Sequence, residues 1–235
     1  MSELADASVE SGLVPDPSVR VWDLPLRLTH WSFAFLVPAL WWSAENSQWA
    51  LHKRFGVTLL GLLVFRIIWG LLGTRTARFG SFVKGPQAVL AYVTGKAGAA
   101  ADTIGHNPIG ALSVLGLLTV MSVQVGSGLF AGDPYDGATG PLNALVSVST
   151  ADALTDWHEW FYWVVLGLVA LHLCAIIFYA VAKQNDLVSP MLSGRKIVKT
   201  AVEENEPAPW GRLLIAAVTS GGLAVWVAYE AYPLG

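Results

Sequence analysis

The sequence predicts an all-α integral membrane protein. Hydrophobic residues make up 54% of the 235 residues and charged residues only 13%, whereas charged residues make up about 25% of a soluble domain. A helix needs about 20 consecutive apolar residues to cross a bilayer. Five apolar segments come close to that length, at about residues 26–44, 51–72, 108–130, 160–182 and 212–232.

The residues before the first segment have the composition of a short tail. Residues 1–19 contain four acidic side chains and no lysine or arginine, and they lack the basic start and apolar core of a signal peptide. We therefore expect three regions. They are a disordered cytoplasmic tail (1–19), a four-helix transmembrane domain (20–200), and a linker with a fifth, C-terminal transmembrane helix (201–235).

The charges of the loops predict how the chain crosses the membrane. Loops 73–105 and 183–211 each carry four basic residues, whereas loop 131–156 carries none and has four aspartates. Because basic loops stay in the cytoplasm, we expect a cytoplasmic N-terminus, with the acidic loop and the C-terminus on the outer side of the membrane.

The fourth segment carries two histidines, one near each end. His158 and His172 are 14 residues apart. At 100° per residue this is 40° short of four turns, so both rings lie on nearly the same side, about 21 Å apart along the axis. A polar ring at membrane depth indicates a functional site, and imidazole is an axial ligand of haem iron. The alternative is a pair of buried histidines hydrogen-bonded to their neighbours.

The predicted orientation places four histidines at two depths. The first segment runs outward and the second and fourth run inward, so His30 should lie at the level of His172 and His52 at the level of His158. Each level could hold one iron between two imidazoles, which predicts two haems. The chain has a single cysteine, Cys174. This count excludes a Cys-x-x-Cys-His attachment site and an iron–sulfur cluster, so any haem is held noncovalently.

Four features of the sequence carry a family resemblance. They are Val-Trp-Asp-Leu-Pro-Leu-Arg-Leu-Thr-His-Trp at 21–31, His-Lys-Arg-Phe-Gly at 52–56 with Phe65-Arg66, Gly-His-Asn-Pro-Ile-Gly at 105–110, and the His158/His172 spacing. Together they resemble the bacterial cytochrome b561 family, which includes the b-type subunits of nickel–iron hydrogenases. The resemblance covers roughly residues 19–200 and implies a four-helix core with two b haems, which carry electrons between a quinone pool and a partner. It also implies a bacterial inner membrane, with the periplasm on the outer side, and leaves the role of the fifth helix open.

Basic residues near the histidines are candidates to neutralise haem propionates. Arg27 lies one turn before His30, and Lys53 and Arg54 follow His52 on the outer side, where basic residues are unusual. Arg66 lies 14 residues after His52, so it should face the inner level. Its alternative role is to extend its charged end to the inner headgroups.

His106 and Asn107 precede the third segment at its cytoplasmic end. A quinone needs hydrogen-bond donors at the edge of an apolar slot, and these two side chains could supply them near the inner haem. The alternative for Asn107 is to cap the helix, which Pro108 is well suited to begin. We therefore predict a site for ubiquinone or menaquinone at this end.

Three functions compete. The first is an electron-transfer protein, a subunit of or partner to an oxidoreductase, that links quinone to a periplasmic partner such as a c-type cytochrome or a hydrogenase-like module. The second is a stand-alone enzyme of the same fold, such as a superoxide:quinone oxidoreductase, in which Lys53 and Arg54 would attract the anion. The third is a transporter or structural membrane protein without haem. The expected partners are the lipid bilayer, quinone and the redox protein, and we expect no nucleic acid.

Overall fold

The computed structural model describes residues 18–96, 105–133, 138–198 and 205–231. It is mostly helical, as predicted. The helices are α1 Leu24–Glu45, α2 Trp49–Leu72, α3 Phe79–Phe82, α4 Pro86–Val93, α5 Pro108–Phe130, α6 Val148–Ala182, α7 Val188–Ser193 and α8 Trp210–Ala231. The strands are β1 Ser18–Arg20, β2 Gly132–Asp133, β3 Ala138–Thr139 and β4 Arg195–Ile197, and a 3-10 turn lies at Asn143–Leu145. The strands form two short antiparallel pairs, β1 with β4 and β2 with β3.

Among the described residues, four helices are long and apolar enough to cross a membrane, so the chain is a multi-pass membrane protein. The helix α1 is not among the four, because Arg27, Thr29, His30 and an internal proline, Pro38, lower its hydropathy. Most side chains of the four face outward, where a bilayer would surround them, because lipid rather than protein is the partner of a spanning helix. The four stretches are Trp49–Leu72, Pro108–Phe130, Val148–Ala182 and Trp210–Tyr229.

The helices α1, α2, α5 and α6 share one apolar core. The close pairs are α1 with α2 and α5 with α6, while α2 also meets α5. Along the helices the core lies between the two levels of histidines, so it sets the distance between the candidate sites. Its buried members are Leu36, Leu59, Leu63, Leu118, Met121, Val125 and Val165.

The helix α6 begins earlier than its apolar run. We placed His158 in the first turn, but Ser147 caps a helix that starts at Val148, and its hydroxyl accepts from the Thr150 amide at 3.3 Å. His158 is therefore the eleventh residue of α6. The added turns are held against β2, since Thr155 Oγ1 accepts from the Gly132 amide at 2.9 Å. Hydropathy marks the membrane part of a helix, and capping marks its start.

A second core lies where α1 begins and α2 ends, and it joins segments that are far apart in the sequence. Asn205 is buried, and its amide donates to Val21 O, Thr74 Oγ1 and Thr76 Oγ1 at 3.3, 3.1 and 2.7 Å. Ser18 and Val19, which we expected in a disordered tail, belong to β1. The helix α8 packs along α2, so it is tied to the four-helix bundle. Buried apolar members of this core include Val21, Trp22, Leu26, Trp69, Ala77 and Ala216.

Candidate cofactor site

The structure brings together the two histidines that we call the outer pair, after their predicted depth. The ring centroids of His52 on α2 and His158 on α6 are 6.1 Å apart, with the ring planes at 88°. The Nδ1 of His52 lies 3.0 Å from the carbonyl oxygen of Leu40, and the Nδ1 of His158 lies 2.9 Å from that of Gln124. A carbonyl oxygen only accepts, so each Nδ1 carries the proton and each Nε2 is left with a free lone pair.

Side chains of α5 hold His158 in this orientation. The Gln124 side-chain amide donates to the carbonyl of His158 at 2.9 Å, so backbone and side chain of the two residues are bonded in both directions. The hydroxyl of Ser127 lies 3.2 Å from His158 Nδ1 and donates to Gln124 O at 2.9 Å. These bonds fix both the position of the ring and its tautomer.

Gly128 allows the ring of His158 to lie directly on α5. A Cβ added at Gly128 would lie 2.6 Å from His158 Cε1, which is closer than carbon atoms in proteins approach. Only glycine therefore fits at this position without moving the ring.

The rings of the inner pair also lie close together, but their Nδ1 atoms make fewer hydrogen bonds than those of the outer pair. The ring centroids of His30 on α1 and His172 on α6 are 6.5 Å apart, with the planes at 58°. His172 Nδ1 lies 3.3 Å from the hydroxyl of Ser113. The Nδ1 of His30 is buried and has no hydrogen-bond partner among the residues that the structure describes.

Both pairs have the spacing that one metal ion between two imidazoles requires. An axial nitrogen lies about 2.0–2.1 Å from a metal and the ring centroid about 1 Å behind it, so two opposed rings have centroids about 6 Å apart. In the described part of the chain, no group of three or more His, Cys, Asp or Glu could hold a bare ion. The pairs therefore suit a metal that brings its other ligands with it, as a porphyrin does.

The four basic candidates lie in different environments. Arg27 Nε donates to Met191 O at 3.2 Å, Arg54 is exposed and Lys53 is half-buried. Arg66 is only 5% exposed and lies over the ring of Phe79, with 5.0 Å between its guanidinium carbon and the ring centroid. It does not extend to the headgroups, because its side chain turns inward to α3 and the loop carbonyl of Ala77 at 3.4 Å.

His106 and Asn107, the two predicted quinone ligands, make different kinds of contact. Asn107 caps α5, as its oxygen accepts from the Gly110 amide at 2.7 Å, and its amide donates to the Tyr179 hydroxyl at 2.9 Å. His106 lies between the rings of Trp22 and Phe82, with centroid distances of 4.7 and 4.5 Å. Burial, and then the charge of Arg66, lowers the pKa of His106 to about 3, so this ring is neutral at physiological pH.

An apolar groove of about 420 Å³ runs between α2 and α5. It is lined by Ile67, Leu115 and the hydroxyl-bearing Thr119, and Phe79 forms part of its wall. The same phenylalanine covers Arg66, so one end of the groove lies beside this buried cation.

Sequence reasoning missed the residues that orient the rings. Leu40 O and Gln124 O accept from the histidines, and Gln124 lies 34 residues before His158 in the sequence. No local signal identifies these acceptors, because every residue carries a backbone carbonyl. Small and hydroxyl residues such as Gly128 and Ser127 are common where membrane helices pack, so they do not mark the site either.

A protein-family model described as prokaryotic cytochrome b561 matches residues 21–194, most of the chain and all four histidines of the two pairs. No curated protein and no solved structure matches the chain.

Proposed function

The chain belongs to the prokaryotic cytochrome b561 family of haem b electron-transfer proteins in membranes, and we propose that it holds two b haems and carries electrons between the quinone pool and a periplasmic redox partner. The observation that carries the proposal is the spacing of the two histidine pairs, 6.1 and 6.5 Å between ring centroids. These distances agree with the roughly 6 Å expected for two axial imidazoles on one metal.

In this proposal His52 and His158 hold the outer haem, and His30 and His172 hold the inner one. The bound haem supplies reversible one-electron chemistry. The protein supplies the axial nitrogens, a dry apolar core between the two levels and cationic groups for the propionates. The candidates for that last role are Arg27, Lys53, Arg54 and Arg66.

The quinone site lies at the cytoplasmic end in this proposal. His106 is a buried imidazole whose Nδ1 has no partner in the described part of the chain, and a quinone carbonyl is a group with which an imidazole N–H can bond. The groove beside Phe79 suits the isoprenoid tail of ubiquinone or menaquinone, because both are apolar. Asn107 contributes through the helix cap and the Tyr179 contact, which hold the start of α5 in place.

The proposed topology has five spans in the inner membrane. They are the four apolar helices, including the C-terminal α8, together with α1, whose hydropathy is lower. The N-terminus is cytoplasmic and the C-terminus periplasmic. The exposed carboxylates of Asp152, Asp156 and Glu159 lie next to His158, so the periplasmic face offers an anionic surface to a basic partner such as a c-type cytochrome. A hydrogenase-like module is the other candidate for this position.

One observation favours the second function, a superoxide:quinone oxidoreductase. Arg54 is exposed and follows the outer ligand His52 by two residues, so it could attract an anion to the outer haem. The neighbouring exposed carboxylates repel the same anion, and the electron-transfer role is therefore the one we propose.

The test is the haem content and the reduced-minus-oxidised spectrum of the purified protein and of four single variants. The unmodified protein should contain two haems per chain. His158→Ala and His52→Ala should each remove the same spectral component, and His30→Ala and His172→Ala should each remove the other. Two haems retained in His158→Ala, or loss of different components in the two outer variants, would show that the pairing is wrong.

A further inference from the structure

The two histidines of the outer pair are held by the same local arrangement on two different helices. The Nδ1 of His52 lies 3.0 Å from Leu40 O, and the hydroxyl of Ser43, three residues further along α1, donates to the same carbonyl at 2.9 Å. The Ser43 oxygen also lies 3.3 Å from His52 Nδ1. Imidazole and hydroxyl therefore share one carbonyl and contact each other. We call such a set, a helix carbonyl and the serine three residues after it, a histidine seat.

The helix α5 builds the second histidine seat from Gln124 and Ser127. The Nδ1 of His158 lies 2.9 Å from Gln124 O, and the Ser127 hydroxyl donates to that carbonyl at 2.9 Å and lies 3.2 Å from the same Nδ1. Each of these three distances is within 0.1 Å of its counterpart in the first seat. Ser43 and Ser127 are both buried, so water does not compete for either carbonyl.

A histidine seat permits one tautomer of the neutral imidazole. A proton on Nδ1 is donated to the carbonyl, and the serine oxygen is a second acceptor for it. Without that proton, two acceptors would face each other at 3.0 Å in one seat and 2.9 Å in the other. The serine has a single proton and could not satisfy both of them. The seats therefore leave each Nε2 unprotonated before any metal is bound.

The inner pair has no such seat in the part of the chain that the structure describes. The Nδ1 of His172 meets only the hydroxyl of Ser113, at 3.3 Å, and the Nδ1 of His30 is buried without a hydrogen-bond partner. A hydroxyl both donates and accepts, so Ser113 does not select the tautomer of His172. The inner rings must therefore be ordered as their cofactor binds, and ordering side chains on binding lowers the affinity.

We propose that the two histidine seats make the outer haem the more firmly held of the two, with Ser43 and Ser127 as positioning residues that act through His52 and His158. This inference rests on the proposed di-haem function and adds to it an order of cofactor retention, in which the inner haem is lost first. Removing a group that orients a metal-bound histidine costs about 10–100-fold in metal affinity, so the effect of each serine is measurable.

The experiment is haem transfer from the loaded, full-length protein in detergent to an excess of apomyoglobin, followed by absorption. We expect two phases, and the haem that remains after the fast phase should show the spectral component that is missing from His158→Ala. Ser43→Ala and Ser127→Ala should each speed the slow phase by about tenfold and leave the fast phase unchanged. Both should also alter the ferric paramagnetic resonance signal of the outer haem, because this signal depends on the angle between the two axial rings, 88° for His52 and His158.

Two further variants separate positioning from general destabilisation. Ser127→Thr keeps a hydroxyl in the seat and should return the slow phase most of the way to its original rate. Ser220→Ala is the matched control on α8, which carries no histidine. Ser220 is buried and bonds the carbonyl three residues before it, Ala217 O, at 3.3 Å. Its loss should change neither phase.

The outcomes separate this inference from the function on which it rests. Fewer than two haems per chain would show that the proposed function is wrong. With two haems present, a single transfer phase, or a fast phase that removes the outer component, overturns the inference. A slow phase that Ser127→Ala leaves unchanged, or that Ser220→Ala speeds equally, also overturns it. If an alanine variant loads no haem, the order of the two phases in the unmodified protein still decides the question.

Discussion

At the scale of single residues, the site depends on backbone atoms as much as on side chains. A histidine can face a cofactor in two tautomers, and the acceptor at Nδ1 selects between them. In this protein the acceptors at the outer level are the carbonyls of Leu40 and Gln124, which no side-chain substitution at those positions would remove. The variants that test the site are therefore those that move a ring or change what surrounds it.

Gly128→Ala should disturb the outer level. The new Cβ would lie 2.6 Å from His158 Cε1, so the ring must move and its bond to Gln124 O is weakened. We expect loss or a spectral shift of the outer haem, measured by haem content and difference spectrum.

Gly126→Ala is the control for that variant. Gly126 lies about 200° away around the same helix, and a Cβ there would meet no protein atom within 4 Å. An equal loss of haem in both variants would contradict a role for close packing at Gly128.

His106→Ala should slow haem reduction by quinol while leaving two haems bound. Because burial lowers the pKa of His106 to about 3, the ring stays neutral between pH 5 and 8. The ratio of the two reduction rates, unmodified protein over variant, should therefore be the same across that range. A ratio that changes around pH 6.5, the ordinary pKa of histidine, would indicate that the ring is exposed to solvent and titrates there. An unchanged rate of haem reduction would exclude His106 from the quinone site.

At the scale of helices, α6 and α8 have different roles. The helix α6 connects the two histidine pairs, and α8 packs on the outside of the four-helix bundle. The helix α6 supplies one histidine to each pair and is the only helix to do so. The helix α8 carries no histidine and packs against α2, where a Cβ added at Gly61 would lie 3.1 Å from the Ala224 Cβ. Small residues let helices approach closely in a membrane, where burial of apolar surface supplies little attraction.

Gly61→Val should separate α8 from α2 and destabilise the protein, by about 1–3 kcal/mol for an overpacked contact. The measurement is the thermal unfolding of the haem-loaded protein in detergent, with the haem spectrum recorded at low temperature. The spectrum should be unchanged, because Ala224 belongs to α8 and not to the four helices of the shared core.

Gly222→Val is the matched control on α8 itself, since a Cβ at that position has nothing within 4 Å. Equal unfolding temperatures for the two variants would show that α8 does not depend on the Gly61 contact.

At the scale of the whole molecule, charge is divided between the two faces of the membrane. Basic loops lie on the predicted cytoplasmic side, and the predicted periplasmic side carries the exposed Asp152 and Asp156, which precede His158 on α6. Depletion of basic residues follows from membrane insertion alone, but it does not require acidic ones. The acidic loop is therefore the expected docking surface for a basic redox partner.

Changing Asp133, Asp136, Asp152 and Asp156 to asparagine should slow the second-order electron exchange with the native periplasmic partner. The rate of the unmodified protein should fall as salt rises, because the screening length decreases from about 10 Å at 0.1 M to about 3 Å at 1 M. The variant should show a smaller salt dependence. Identical rates and salt slopes would exclude this loop as the docking surface. The side chains of Asp133 and Asp136 lie outside the described residues, so the pair Asp152→Asn and Asp156→Asn is the first variant to measure.

The sequence by itself determined the class of the protein and its long apolar helices, and it predicted that four histidines pair by depth. These follow from local quantities, namely hydropathy, the positions of lysine and arginine, and the 3.6-residue period of a helix. Only the tertiary structure decided which atoms hold each ring, where Arg66 points, where α6 begins, and how Asn205 ties α8 to the bundle. The bond between His158 and Gln124 joins residues 34 positions apart and that of Asn205 with Val21 joins residues 184 apart. Such contacts depend on how the helices rotate and pack against one another, and no periodicity within one helix contains that information.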